Sequence, residues 1–271
     1  LGRRLNNQYY DRRGNPDGYD LVEADWDTAI VLDACRYDTF ARHHPFTEGT
    51  LRKATAPGGT SEEYVERTFG ERRHHDIVYV TANPYITTLD DDTFHAVYLD
   101  EMWNENDEPP ADRTTEVALQ AHEDHPNKRI VVHYMQPHLP IKHPEYEYVN
   151  EHVQYWRNQY WPEGITTETL REAYTANFEY VCSHVRDLLD AITGKAIITA
   201  DHGELLGERQ SPVPVRGFRH YPRLYVPELI DVPWFELPAD SRRDVEAEPP
   251  AATMDVSEEQ KEERLAALGY L

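Results

Sequence analysis

Five residues carry the groups a phosphoryl- or sulfuryl-transfer centre requires: Asp33, the adjacent hydroxyls of Thr60 and Ser61, and the neighbouring pair Asp201 and His202. Carboxylate oxygens, a hydroxyl and an imidazole nitrogen together suit a divalent cation of hard or borderline character. A hydroxyl beside such a cation is activated as its alkoxide, and the positive end of a helix attracts the oxyanion it attacks. Each residue also has an ordinary explanation: Asp33 can begin a turn, Thr60 or Ser61 can cap a helix, and Asp201 and His202 can be a cap and a core histidine. The chemical reading rests on convergence, because all of them follow or adjoin the ends of successive apolar runs.

Those runs define the elements that must position the groups. Ala29 to Leu32 reads as a buried strand that stops at Asp33, and Ala196 to Thr199, in "AIITADHGELLGE", as another that stops before Asp201. In open α/β sheets the carboxyl ends of strands are where ligands bind. Between them, Pro57, Gly58 and Gly59 form a turn, and Thr60 with Glu63 fits a capping box ahead of an amphipathic helix. "DIVYVTANPY" (Asp76 to Tyr85) and "KRIVVHYMQPHLP" (Lys128 to Pro140) read as two more strands, the second running into a loop with His133 and His138. "RTTEVALQAHED" reads as a helix, and Leu170, Tyr174, Phe178, Val181, Val185, Leu188 and Leu189 form the apolar stripe of a long one. Strands alternating with helices predict an α/β chain: a three-layer α/β/α sandwich around a mixed, largely parallel sheet.

Residues 1–26 read as an N-terminal arm, with Leu1 to Tyr19 polar and lacking either periodicity; residues 27–238 as the catalytic domain; and residues 239–271 as an acidic linker followed by a terminal helix packing back on the domain. The chain has 50 acidic and 27 basic residues, a net charge of −23, and only five lysines, a surface suited to high salt and a halophilic source. That charge repels nucleic acid and anionic membranes, so neither is expected as a partner. With 18 Tyr, 7 Phe and 5 Trp the chain can nevertheless build a core. Cys35 and Cys182 form neither a disulfide framework nor a metal motif, and no membrane span or signal sequence is visible, which predicts a cytoplasmic protein. His43, His44, His74, His75, His122 and His125 lie in polar segments without an assigned role, and the carboxylates of Leu89 to Phe94 read as a solvated loop.

"VLDACRYD", "PGGTSEEY", "YMQPHLP", "GKAIITADHGELLGE", "RHYPRLYVPELIDVPW" and the closing "LAALGYL" together resemble a sulfatase-type member of the alkaline phosphatase superfamily. The resemblance implies an alkaline phosphatase-like fold and transfer or hydrolysis of phosphate, phosphonate or sulfate esters through a covalent enzyme intermediate. It implies Asp33, Asp201, His202 and the nucleophile as ligands of one divalent metal, Mn²⁺ or Zn²⁺, with Ser61 preferred over Thr60 as that nucleophile. His138 resembles the histidine at the substrate oxyanion or leaving group, and His220 a late histidine that assists there or holds a second metal. Arg36 fits either a bound anion or a structural salt bridge, and His133 is grouped with it as substrate-binding; Lys142 and His143 are further candidates around the anion.

The departures narrow the class. Neither "CRYDT" nor "SEEYV" supplies the C/S-x-P/A-x-R signature of formylglycine sulfatases, and "QPHLPIKH" puts His138 where two-zinc phosphodiesterases carry an aspartate. The implied substrate is an anionic ester carried on a sugar or lipid head group. The competing reading is a non-catalytic superfamily member that binds an anionic glycan or a protein partner. The aromatic-rich Tyr146 to Trp161 reads either as a lid over that head group or as core packing.

Overall fold

A computed structural model describes residues 2–14, 16–99, 109–152, 164–250 and 263. Seven strands form the main sheet: β1 (Thr28–Asp33), β2 (Thr50–Thr55), β3 (His74–Thr81), β4 (Phe94–Tyr98), β5 (Arg129–Pro137), β6 (Ala196–Thr199) and β9 (Asp231–Glu236). Their spatial order is β2-β9-β6-β1-β5-β3-β4. β1 pairs in parallel with β5 and β6, and β3 in parallel with β4 and β5, whereas β9 runs antiparallel to both β6 and β2. The sheet is therefore mixed and largely parallel. β1 occupies its middle, and all six of its residues are buried, as a strand covered on both faces requires.

Alternation along β5 shows how the layers form. His133 faces Tyr79 and Tyr64 of α3 (Ser61–Phe69), while the hydroxyl of the next residue, Tyr134, lies 2.8 Å from Thr115 Oγ1 on α4 (Ala111–Asp124). One face of the sheet therefore carries α3. The other carries α4 and α5 (Thr167–Ala191), whose Leu170, Tyr174, Phe178, Val181, Val185 and Leu188 are all buried. The short α2 (Tyr37–His43) follows β1 and packs Phe40 against Phe178 and Phe235. No described helix is long and apolar enough to cross a membrane.

Three expectations need correction. Residues 2–13 form a helix, α1 (Gly2–Arg13), where polar composition suggested an arm or loop. Its buried contact is an amide: Asn6 Nδ2 donates to Gln210 Oε1 at 3.0 Å and to Val213 O at 2.9 Å, and Asn6 Oδ1 accepts from Val213 N at 2.7 Å, while Asn7 Nδ2 donates to Pro222 O and the Tyr10 ring meets Tyr225. The core also begins earlier than Asp27, because Leu21 and Trp26 are buried in it. Residues 239–250, read as a solvated linker, have no regular secondary structure but are tied down: Arg242 pairs with Asp25 and Asp27, and Lys128 Nζ donates to Glu246 O and Glu248 Oε2. The terminal helix read in "EEQKEERLAALGYL" lies outside the described residues except at 263. Of the aromatic segment, Tyr146 and Val149 pack in an apolar cluster with Leu170, Tyr174 and Leu206, and residues 153–163 lie outside the described part.

Candidate active site

The carboxyl ends of three adjacent strands supply the groups. Asp33 closes β1, Asp201 and His202 follow β6, and His133 and His138 lie on and just beyond β5. The parallel register places His133 beside Val31, two residues before Asp33. Across this edge stands the amino end of α3. Thr60 is its N-cap, with the hydroxyl accepting from Glu63 N at 3.3 Å, and Ser61 is its first helical residue. The reciprocal half of the expected capping box is displaced by one residue, because Glu63 Oε2 accepts from Gly59 N at 2.8 Å instead. That contact ties the Gly58–Gly59 turn to the helix, where a Cβ on Gly58 would come within 2.4 Å of Glu63 Cβ.

These constraints separate the two hydroxyls. Thr60 spends its oxygen on the cap, whereas Ser61 Oγ points into the strand ends, donating to Asp201 Oδ2 at 2.7 Å, with Asp33 Oδ2 at 3.4 Å and His202 Nε2 at 3.2 Å. The remaining atoms of the cluster are held in place. Asp201 Oδ1 accepts from Ala34 N at 3.1 Å and His202 N at 2.8 Å. His202 Nδ1 lies 2.8 Å from Gly203 O, an arrangement that makes Nδ1 the protonated nitrogen and leaves Nε2 facing Ser61. His133 Nδ1 is 3.0 Å from Tyr79 OH, and its Nε2 lies 3.6 Å from Asp201 Oδ2.

Two groups of buried side chains have the makeup of cation sites. In each, one ligand atom per residue lies within 4.8 Å of the others: Asp33, His133 and Asp201 in the first, and His138, Glu204 and His220 in the second. Both leave an unsatisfied atom among the described residues, His133 Nε2 in the first and Glu204 Oε1 in the second, each buried without a hydrogen-bond partner. Buried polar atoms are seldom left unpaired, and mixed oxygen and nitrogen donors suit Zn²⁺ or Mn²⁺. His202 lies between them: its Nε2 is 3.5 Å from Asp33 Oδ1 and 3.4 Å from Asp201 Oδ2, and its ring centroid is 4.4 Å from that of His220.

The electrostatics fit this arrangement. Burial opposes ionisation of Asp201, yet the charge of His202, the His133 contact and the Ser61 hydrogen bond hold its carboxyl well below the usual range. Burial, reinforced by His220, pushes His138 down to about 3; burial and His202 likewise hold His220 well below its ordinary value. Both rings are therefore neutral at neutral pH, the form that ligates metals. Burial raises Glu204.

The remaining candidates fall into place differently. Arg36 is committed to the protein: Nε and Nη2 donate to the two Asp38 oxygens at 2.8 and 3.0 Å, and Nη1 to Glu208 Oε1 at 2.7 Å and Glu204 O at 3.1 Å. Of its two readings the structure shows the salt bridge, which braces the backbone of Glu204. His133, grouped with the substrate-binding residues, is fully buried beside Asp201. Lys142 and His143 lie along the loop beyond His138, where Asn177 Oδ1 accepts from Lys142 N at 2.8 Å. Glu204 was missed, although it is the fourth residue of the Asp-His-Gly-Glu stretch. It meets His220 through a two-stranded hairpin, β7 (Leu205–Arg209) with β8 (Arg216–Arg219), whose register pairs Leu205 with Arg219; His220 Nδ1 then lies 3.3 Å from Glu204 Oε2.

No protein-family model matches this sequence, and no curated protein matches it either. Solved structures do. Integral membrane protein lipooligosaccharide phosphoethanolamine transferase A from Neisseria meningitidis is similar over 88% of this chain and 54% of its own length, at 12% identity and a TM-score of 0.52. The C-terminal periplasmic domain of EcEptC from Escherichia coli, in complex with Zn, aligns over 83% of this chain and 76% of its own, at 12% identity and a TM-score of 0.49. A protein in the alkaline phosphatase superfamily from Vibrio parahaemolyticus aligns over 85% and 63%, at 12% identity and a TM-score of 0.47. Together with the mixed, mostly parallel sheet flanked by helices, the likeness establishes that the chain has the alkaline phosphatase-like α/β fold.

Proposed function

We propose that the chain is a metal-dependent transferase or hydrolase of phosphate, phosphonate or sulfate esters in which Ser61 is the nucleophile. The observation that carries this reading is the Ser61 hydroxyl, buried at the first turn of α3 and surrounded at 2.7–3.4 Å by Asp201, His202 and Asp33. A serine serving only the helix would resemble Thr60, with its oxygen turned to the backbone.

Asp33, Asp201, His202 and His133, with Ser61 itself, would hold the first divalent ion; His138, Glu204 and His220 would hold a second. Such ions polarise the ester and favour the ionised form of a hydroxyl or water. The chain's own contributions are positional and electrostatic. Asp201 accepts the Ser61 hydrogen bond and fixes the oxygen against the strand ends. The amino end of α3 presents positive potential to the nonbridging oxygens of the group under attack. Ser61 Oγ gives up its proton and forms the new bond to phosphorus or sulfur as the ester oxygen leaves and takes a proton from water. Water or an acceptor hydroxyl then displaces the group from Ser61, completing hydrolysis or transfer. A phosphate-bearing lipid or sugar head group is the favoured substrate, consistent with the phosphoethanolamine transferase named among the similar structures.

The test is metal content measured together with hydrolysis of p-nitrophenyl phosphate, bis-p-nitrophenyl phosphate and p-nitrophenyl sulfate in high salt. Turnover that follows metal content and disappears in Ser61→Ala supports the reading, and the preferred ester names the class. A folded chain without metal or turnover, even when Zn²⁺ and Mn²⁺ are supplied, contradicts it and favours a binding module.

A further inference from the structure

A histidine that ligates a metal through one ring nitrogen carries its proton on the other, so the hydrogen bond made by the second nitrogen decides whether the first is free to ligate. In the first donor group that decision falls on His133. Its Nε2 lies 3.6 Å from Asp201 Oδ2, on the side of the cluster, and its Nδ1 lies 3.0 Å from Tyr79 OH.

The sheet brings the two side chains together. β3 and β5 pair in parallel with Thr81 beside His133, and Tyr79, two residues before Thr81, projects from the same face. The tyrosine ring is fixed there by Phe69 of α3, whose centroid is 5.4 Å away in an edge-on contact, and by Phe94 of β4 at 5.2 Å. Tyr79 and His133 are both fully buried, so bulk water does not compete for their hydrogen bond.

The distances also select the direction of that bond. A proton on Nε2 would be a buried donor facing Asp201 Oδ2 at 3.6 Å, beyond hydrogen-bonding reach, and that oxygen already accepts from Ser61 Oγ at 2.7 Å. A proton on Nδ1 has an acceptor, because a phenolic oxygen accepts as well as donates. It leaves the lone pair on Nε2, an atom with no hydrogen-bond partner among the described residues, in the group where ligand atoms of Asp33, His133 and Asp201 lie within 4.8 Å of one another.

We propose that Tyr79 is a positioning residue of this group: its hydroxyl oxygen accepts the Nδ1 proton of His133 and so holds the imidazole with the Nε2 lone pair turned to a divalent cation shared with Asp33 and Asp201. This role rests on the proposed metal reading of that group, and Tyr79 fills it without touching ion or substrate. Tyr64 of α3 supplies an internal contrast. Its ring also meets His133, at 5.9 Å between centroids, and it is equally buried, but its hydroxyl makes no hydrogen bond among the described residues.

The experiment measures stepwise Zn²⁺ affinity of the full chain by competition with a calibrated chelator, together with turnover of p-nitrophenyl phosphate, in wild type, Tyr79→Phe, Tyr64→Phe, His133→Ala and the double variant Tyr79→Phe/His133→Ala. The expected result is one binding step weakened by on the order of 10- to 100-fold in Tyr79→Phe, unchanged affinity in Tyr64→Phe, and no further loss when Tyr79→Phe is added to His133→Ala. Equal affinity in wild type and Tyr79→Phe overturns the proposal while leaving the ester-transfer reading intact, because the other ligands would then hold the ion without Tyr79. An equal loss in Tyr64→Phe, or a further loss in the double variant, also overturns it, since Tyr79 would then be supporting the packing of the layer rather than His133. A wild type that binds no Zn²⁺ overturns both readings; one that shows the expected affinities but turns over no ester overturns the ester-transfer reading alone.

Discussion

Ser61 Oγ lies 2.7 Å from Asp201 Oδ2, although 140 residues separate them in sequence. One comes from the first turn of a helix and the other from the end of β6. The proposed nucleophile requires such a meeting and a cap does not, and substitution of the adjacent hydroxyls tests the distinction directly. Ser61→Ala is expected to lower turnover by roughly 10³-fold or more while metal stays bound. Thr60→Ala removes only the cap to Glu63 N, costing about 1 kcal/mol of stability and leaving most of the turnover. Steady-state kinetics and thermal melts on the two variants read both effects.

The first donor group predicts a linkage between metal and stability. Chelation is expected to abolish turnover and to lower the thermal midpoint by roughly 5–10 °C if the ion is normally present at about a hundred times its Kd. Asp201→Asn should weaken metal binding by on the order of 10²-fold or more, because the amide is a poorer donor and the Ser61 hydroxyl loses its acceptor. Metal analysis after dialysis against a calibrated chelator measures it.

The second group predicts stoichiometry. With Zn²⁺ supplied, the wild type should hold two ions per chain, and Glu204→Gln or His220→Ala one, with the Ser61 group still loaded. Native mass spectrometry counts the ions; an unchanged count in both variants would remove Glu204 and His220 from the metal-holding set.

Arg36 predicts a pH effect away from the chemistry. Burial opposes the ionisation of Asp38 and Glu208, but pairing with Arg36 holds both carboxyls below their ordinary values. Groups depressed in the folded state add stability that is fully present above their unfolded values, near pH 4, and is lost as pH falls through the folded ones. Unfolding free energy should therefore decline on acidification below about pH 4. Arg36→Gln should cost about 1 kcal/mol at neutral pH, since Asp38 and Glu208 are partly exposed and keep Arg42 and Arg171 as partners, and should weaken that acid limb. Urea melts across pH 3–7 would show both.

The net charge of −23 predicts salt-dependent stability. Raising salt from 0.1 to 1 M shortens the screening length from about 10 to about 3 Å and relieves the self-repulsion of the acidic surface. The thermal midpoint should rise over this range, and a midpoint that falls would contradict the electrostatic account.

The parts of the site legible in sequence are those fixed by local signals. Asp33, Asp201 and His202 end β-branched runs, and Ser61 follows a glycine turn and opens an amphipathic helix, so short windows reveal them. The long stripe of α5 was equally plain. Glu204 and His220 were harder because their meeting depends on the pairing of two short strands, with Leu205 opposite Arg219. β2 escaped for another reason: as an edge strand with mostly exposed residues, it reads as a polar run. α1 escaped because the residues that dock it, Arg3, Asn6, Asn7 and Tyr10, share one helical face but are mostly polar, so no apolar stripe marks it. Arg36 illustrates a different limit, since sequence allowed both a bound anion and a salt bridge, and only Glu208 arriving from β7 separates them.

The central claim is that Ser61 carries the transferred group. Its most direct measurement is a rapid acid quench of the metal-loaded chain turning over a phosphate ester, followed by peptide mass spectrometry. The account predicts a phosphoryl adduct on the peptide containing Ser61, localised to that residue and absent from Ser61→Ala. Undiminished turnover in Ser61→Ala, or an adduct on Thr60 or any other residue, would contradict it.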